Sequence, residues 1–251
     1  MEDFARKVVV VTGGASGIGE ATVRAFLDAG ARVAFTFRTS AAAAARIETA
    51  AKRASRTALA IRADLTREAD TKRLFAAVVR RLGPPDIVVA NAGDLLGRVP
   101  VAEADLAHWR ATFDTNVMSV FLTCRAAIRA MDGRKGSLVL MSSMAAFDGG
   151  GFGAAAYAAA KAAVASFARS LAKEVGPGGI RVNAVAPGLI DTPLQTRRNN
   201  PKARATTAAR VPLRREGSPE DVARTILFLA SDASAYVNGE TVRIDGGLSL
   251  T

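Results

Sequence analysis

The sequence predicts an α/β fold, a doubly wound parallel sheet with helices on both faces, built as a single domain over residues 1–251. Three observations predict it. Short β-branched runs alternate with helical stretches of ten or more residues, the rhythm of parallel strands joined by crossover helices. Several of the runs are apolar throughout, among them KVVVVT at Lys7–Thr12 and DIVVA at Asp86–Ala90, as strands covered on both faces must be. Hydrophobic residues make up 49% but aromatics only 6%. The core is therefore built of Ala, Val, Leu and Ile, which suits helices lying close on a buried sheet.

In chain order, Lys7–Thr12 reads as the first strand and Gly17–Gly30 as a helix closed by glycine. Arg32–Phe37 is the second strand, and the alanine-rich Ala41–Ala54 the second helix. Thr57–Arg62 is the third strand, followed by an amphipathic helix over Glu68–Leu82. Asp86–Ala90 enters as the fourth strand through the Pro84-Pro85 turn. Ser137–Met141, Arg181–Val185 and Thr241–Ile244 complete the sheet, and helices fall near Leu106–Met131, Ala155–Val175 and Pro219–Ser231. Pro193–Arg215 breaks the rhythm. It is polar and basic, contains Asn199-Asn200-Pro201, and carries little strand or strong helix signal. A stretch of this length inside a compact domain reads as a substrate lid over residues 193–215.

Composition excludes several function classes. One cysteine, Cys124, and one histidine, His108, leave no internal disulfide and no thiolate or imidazole cluster for a metal. The start, Met1-Glu2-Asp3-Phe4, lacks the basic and apolar pattern of a secretory leader. No apolar run reaches the roughly 20 residues a membrane span needs, so a cytoplasmic protein is expected. The net charge is +11, but the arginines are scattered along helices without interleaved aromatics. A solvated basic surface is expected rather than a nucleic-acid partner.

Three groups of residues carry chemistry. The first strand runs through Thr12 into Gly13-Gly14-Ala15-Ser16-Gly17-Ile18-Gly19 and a helix. Glycines at 13, 17 and 19 let backbone approach a pyrophosphate, which then sits at the positive end of the helix. In the first βα unit this is where a Rossmann-like dinucleotide fingerprint belongs. Second, Tyr157 and Lys161 stand four apart at the start of a helix, hence on one face. A neighbouring ammonium favours the phenolate and lowers the tyrosine pKa toward the working range. Third, Ser142-Ser143 ends the strand SLVLM, where a hydroxyl can donate to a substrate oxygen as charge develops on it.

With Asn91-Ala92-Gly93 after the fourth strand, Asn116 within Thr115-Asn116-Val117, Pro187-Gly188 and the ending Asn238-Gly239…Asp245-Gly246-Gly247, these motifs give a chain that resembles the short-chain dehydrogenase/reductase family from Lys7 to Gly247. The overall pattern is closest to 3-oxoacyl-acyl-carrier-protein reductases and related sugar and polyol dehydrogenases. The resemblance implies a catalytic tetrad of Asn116, Ser143, Tyr157 and Lys161, with Ser142 as the alternative hydroxyl. Tyr157 would exchange a proton with the substrate oxygen that Ser143 holds. Lys161 would depress the tyrosine and bind the nicotinamide ribose, and Asn116 would hold a water linking Lys161 to solvent.

It further implies a cofactor site built from Gly13, Ala15, Ser16, Gly17, Ile18 and Gly19, with Asp64 and Leu65 at the adenine. Asn91, Ala92 and Gly93 would line the ribose, and Pro187, Gly188, Ile190 and Thr192 the nicotinamide, beside Tyr157 and Lys161. At the end of the second strand stand Arg38-Thr39-Ser40, with no Asp or Glu from Arg32 to Ile47. An arginine there attracts a 2′-phosphate that a carboxylate would repel, so NADP(H) is expected over NAD(H). The substrate is a small carbonyl or alcohol, a carrier-bound 3-oxoacyl thioester among the candidates. The alternatives are an NAD-dependent sugar, polyol or steroid alcohol dehydrogenase, and a dinucleotide-binding regulator without catalysis. A homotetramer is expected from the small residues of Ala155–Val175 and from the family's habit of pairing that helix and the one near Val117–Met131 across two-fold axes.

Overall fold

Side chains alternate across a strand, and in the first strand this alternation divides the core in two. Val8 and Val10 enter one buried cluster while Val9 and Val11 enter the other. The computed structural model describes residues 4–198 and 200–250. Its sheet contains β1 (Val8–Val11), β2 (Arg32–Phe37), β3 (Ala58–Arg62), β4 (Ile87–Ala90), β5 (Gly136–Met141), β6 (Ile180–Pro187) and β7 (Thr241–Ile244), all parallel, in the order β3-β2-β1-β4-β5-β6-β7. Between the strands run α1 (Gly17–Asp28), α2 (Ala41–Arg53), α3 (Glu68–Leu82), α4 (Leu106–Phe113), α5 (Ser119–Met131), α6 (Ala145–Asp148) and α7 (Ala155–Val175), then α8 (Pro193–Arg198), α9 (Pro201–Arg210) and α10 (Pro219–Ala230). Phe26 of α1, Ile47 of α2 and Ile226 of α10 bury against one face of the sheet. Leu74 of α3, Cys124 of α5 and Val164 of α7 bury against the other.

β1 pairs with β2 on one side and β4 on the other. The chain leaves β1 outward to β2 and β3, then crosses back to β4, so the connections at the carboxyl ends of β1 and β4 diverge. Doubly wound sheets bind ligands in the crevice this opens.

Two stretches differ from the reading of the sequence. Leu106–Met131 is not one regular helix: the π-helical segment Asp114–Met118 separates α4 from α5 and carries Asn116. Such bulges re-aim side chains without ending a helix. Residues 193–215, which carry little strand or strong helix signal in the sequence, contain α8 and α9. The Asn200-Pro201 pair is a helix start, since Asn200 accepts from the Ala203 N–H and Pro201 occupies the first turn, where its missing donor costs nothing. Arg204 of α9 then ties the segment down at both ends, bonding Asp191 at 2.6 Å and chelating Glu216.

Among the described residues no helix is long and apolar enough to cross a membrane, and no group of three His, Cys, Asp or Glu side chains is placed to hold a metal.

Candidate active site

The glycine turn fills the crevice beside β1. Gly13 and Gly17 adopt φ of +66° and +53°, the left-handed region in which a side chain is strained. A Cβ on Gly19 would stand 2.1 Å from the Gly13 carbonyl oxygen and 2.6 Å from Asn91 Nδ2. The turn is held from both neighbouring strands. Gly13 and Gly14 N–H groups donate to Thr36 Oγ1 and O at 2.9 Å each. Asn91 Nδ2 donates to the Thr12 and Gly13 carbonyls at 2.8 and 3.2 Å, and the Ala92 N–H to Thr12 Oγ1 at 2.9 Å. Asn91-Ala92 therefore braces the turn. Ser16, the N-cap of α1, makes no side-chain capping bond, so helix N–H groups are left to face an anion. Gly19→Ala is expected to cost about 1–3 kcal/mol through overpacking. A thermal melt checks it, and a midpoint equal to the wild type would mean the turn has room to spare.

Arg38, Thr39 and Ser40, the residues expected near the adenosine, are all exposed just beyond β2. Ser40 begins α2 without a side-chain capping bond. The structure adds a residue that the sequence reading missed. Strand pairing sets Phe37 beside Arg62, and Arg62 Nε donates to the Arg38 carbonyl at 3.2 Å, so two guanidinium groups share this edge. Nothing in the linear sequence links residues 38 and 62. Leu65 is buried, and Asp64 Oδ1 accepts from the Thr66 N–H at 3.1 Å and hydroxyl at 2.7 Å. On the opposite side Ile190 is buried. Thr192 Cβ lies 3.4 Å from where a Cβ on Gly17 would be, so the chain beyond β6 closes down over the glycine turn. Pro187 O accepts from the Met144 N–H at 3.0 Å, and the Gly188 N–H donates to Ile244 O at 3.0 Å.

Asn116, Ser143, Tyr157 and Lys161 come together past the ends of β4 and β5. Alternation at the end of β5 decides between the two serines. Ser142 is buried, its hydroxyl spent on the Lys161 carbonyl at 2.8 Å. Ser143 Oγ accepts from the Ala145 N–H at 3.2 Å, and its hydroxyl acts on the Tyr157 phenol, favouring the phenolate. Lys161, 2% exposed, donates from Nζ to Met141 O at 2.8 Å and sits 5.7 Å from the Tyr157 ring centroid. Asn116 is wholly buried. Its Nδ2 donates to Thr112 O at 3.0 Å and Asp94 O at 2.9 Å, while Oδ1 accepts from the Asp94 N–H at 3.2 Å. Both amide protons are thus occupied, and a water could be held only by the remaining acceptor capacity of Asn116. A Cβ on Gly93 would lie 2.7 Å from Asn116 Oδ1 and 3.1 Å from Lys161 Nζ. Only glycine lets β4's exit pass between them.

One electrostatic expectation is corrected. Burial raises the Tyr157 phenol above its ordinary value, opposed by the Ser143 hydrogen bond and by the Arg98 guanidinium, while Asp94 adds to the rise. Lys161 is buried beside the ring. Its own pKa is pushed down to about 8 by burial, because removing an ammonium from water disfavours the charged form. Asp94 and Arg98 were not singled out from the sequence, where their loop reads only as a connection.

The family model described as Enoyl-(Acyl carrier protein) reductase matches residues 13–249. The chain is 41% identical to cis-4-hydroxycyclohexanecarboxylate dehydrogenase of Sinomonas cyclohexanicum over 98% of each chain. It is 39% identical to the 3-oxoacyl-[acyl-carrier-protein] reductase of Chlamydia pneumoniae over 97% of each. A solved short-chain dehydrogenase/reductase from Serratia marcescens superposes with a TM-score of 0.92 at 33% identity, covering 98% of this chain and 99% of that one. With a dinucleotide-type crevice and a serine–tyrosine–lysine cluster beside it, the chain belongs to the short-chain dehydrogenase/reductase family of oxidoreductases.

Proposed function

We propose that the protein is an NADP(H)-dependent reductase or dehydrogenase interconverting a carbonyl and an alcohol, with Asn116, Ser143, Tyr157 and Lys161 as its catalytic groups. The observation that carries this reading is buried Lys161 beside the Tyr157 ring, with Gly93 held against Lys161 Nζ and Asn116 Oδ1, in a chain whose glycine turn excludes any Cβ at Gly19. A protein that only sensed dinucleotides would need no such pair. The nicotinamide, when bound, supplies or accepts the hydride. In reduction Tyr157 gives its proton to the substrate oxygen while Ser143 donates a hydrogen bond to the charge developing there; oxidation runs the same transfers backward. Lys161 keeps two N–H donors beyond its bond to Met141 O, enough to hold a ribose hydroxyl and to relay a proton. Ala15, Ser16 and Ile18 would lie with the glycines along the pyrophosphate. Asp64 and Leu65 would border the adenine, with Arg38, Thr39, Ser40 and Arg62 around a 2′-phosphate. Residues 193–215 would cover the substrate from the Thr192 side, as part of one domain.

Two substrate readings have support. The Chlamydia relative favours a 3-oxoacyl thioester; the Sinomonas relative, a ring alcohol bearing a carboxylate. Absorbance at 340 nm, followed with both nicotinamide cofactors and a series of acyl thioesters, sugars, steroids and cyclic ketones, separates these. No change with any of them would leave the regulator reading standing.

The same reading includes a homotetramer. Phe113, Val117, Met118, Phe121 and Phe167 line an apolar cavity of ≈ 320 Å³ on the faces of α5 and α7, and Met118 and Phe121 are exposed, as surface awaiting a second copy would be. Light scattering at micromolar concentration is expected to give about four times the 26.0 kDa chain mass; a monomer mass would overturn it.

A further inference from the structure

The stretch between β6 and α10 is anchored to the body of the protein at two stems. At the first, a parallel bridge joins Ile190 to Gly217: the Asp191 N–H donates to Gly217 O at 2.8 Å and the Gly217 N–H to Leu189 O at 2.9 Å. At the second, buried Val211 packs against the chain after β7, where a Cβ on Gly246 would stand 2.6 Å from Val211 Cγ1. Between Ile190 and Val211 lie α8 and α9, and no residue of α9 is buried. Apolar packing therefore gives α9 little hold on the rest of the molecule.

Charge holds it instead. Arg204, its side chain 15% exposed, gives Glu216 a two-pronged contact, Nε to Oε1 at 3.1 Å and Nη2 to Oε2. Nη2 also donates to Asp191 Oδ1 at 2.6 Å, and Nη1 to Thr196 Oγ1 at 3.1 Å. The Thr196 hydroxyl in turn donates to Thr192 O at 3.3 Å. A forked and largely shielded contact of this kind is worth more than an ordinary surface ion pair. The nearby Asp221 carboxylate is committed to Arg215 at 2.6 Å, Arg224 at 3.0 Å and the Ser218 N–H at 2.8 Å, so it does not compete for Arg204.

The clamp bears on the cofactor crevice through the residues it grips. Thr192 follows Asp191, and its Cβ and Cγ2 lie 3.4 Å from where a Cβ on Gly17 would be, with Pro193 Cδ at 3.8 Å. The stretch that Arg204 fixes is thus the stretch that closes on the glycine turn.

We propose that Arg204 is a positioning residue, a latch that holds residues 191–196 down on the glycine turn and so slows release of the bound nicotinamide cofactor. It acts through Asp191 and Thr196. The proposal rests on the oxidoreductase reading above and deepens it, assigning cofactor retention to an ion-pair clamp rather than to apolar closure.

Two readouts on the full chain test it. Stopped-flow fluorescence follows release of NADPH or NADH, whichever binds tighter, and hydrogen exchange follows the amides of residues 191–196 in the cofactor-free protein. Arg204→Met and Glu216→Gln are each expected to speed release ~10-fold or more, as for loss of one charge-assisted contact, and to speed exchange by a similar factor. The two variants change net charge in opposite senses, so a field effect on the anionic cofactor alone would move their release rates in opposite directions. Arg204→Lys, which keeps the charge but not the fork, should fall between Arg204→Met and wild type. Arg224→Met, which breaks the ion pair to Asp221 on α10, should leave both readouts at wild-type values. Circular dichroism is expected to stay unchanged, because α9 buries nothing; a fold lost in either clamp variant overturns the latch. Release or exchange at wild-type rates in both clamp variants, release rates that move in opposite directions, or equal changes in Arg224→Met also overturn it. A wild type that binds neither NADPH nor NADH would overturn the oxidoreductase reading and this proposal together, whereas cofactor that binds and leaves at unaltered rates sinks this one alone.

Discussion

Tyr157→Phe is expected to lower turnover by ~10²–10⁴-fold, the usual contribution of a positioned acid/base, equivalent to about 3–5 kcal/mol of activation free energy. The variant removes one oxygen. The ring keeps its place in the first turn of α7, and the only group lost is the hydroxyl on which Ser143 acts. Melting temperature and circular dichroism should therefore match the wild type, which separates a chemical defect from a folding one. The expected size follows from the environment. Burial holds the phenol protonated, so at neutral pH the hydroxyl is a ready proton donor for reduction. The reverse direction needs the phenolate and is expected to accelerate as pH rises toward the raised pKa. Single-turnover rates in both directions across pH measure this. Near-normal turnover by the Phe variant with any substrate found would remove Tyr157 from the mechanism.

Arg38→Asp is expected to weaken NADPH by ~10- to 150-fold, the roughly 1.5–3 kcal/mol of a charge-assisted contact, while sparing NADH. The side chain is exposed and the turn at residues 38–40 contains no carboxylate. An aspartate would both remove the fork offered to a 2′-phosphate and offer an acceptor to a 2′-hydroxyl. Arg62, whose Nε bonds the Arg38 carbonyl at 3.2 Å, remains on the same edge, so the loss should fall short of complete. Fluorescence titration of both reduced cofactors against both proteins reads the ratio directly. Equal affinity of the wild type for the two cofactors, or equal loss of both in the variant, would show that Arg38 only meets solvent.

What the sequence determined by itself was whatever has a period or a fixed local spacing. Short, β-branched apolar runs such as Val8–Val11, bounded by turn signals, read as strands buried on both faces. A strand followed by glycines at 13, 17 and 19 can only turn tightly into a helix, and Tyr157 and Lys161 four apart must share a helical face. The fold class and the glycine turn needed nothing more. The tertiary structure decided what depends on pairing between distant segments. Alternation at the end of β5, set by which face is buried, turns Ser142 inward and leaves Ser143 for Tyr157. Register between β2 and β3 pairs Arg62 with Phe37, so that its Nε reaches the Arg38 carbonyl. A π-helical segment, invisible to a 3.6-residue pattern, lets Asn116 reach the loop after β4. Residues 193–215 looked irregular because their helices are short and polar, and an Asn200 cap with Arg204 bonded to Asp191 and Glu216 holds them. The Tyr157 pKa rises rather than falls because desolvation, a sum over everything packed around the phenol, outweighs any one neighbour named by spacing.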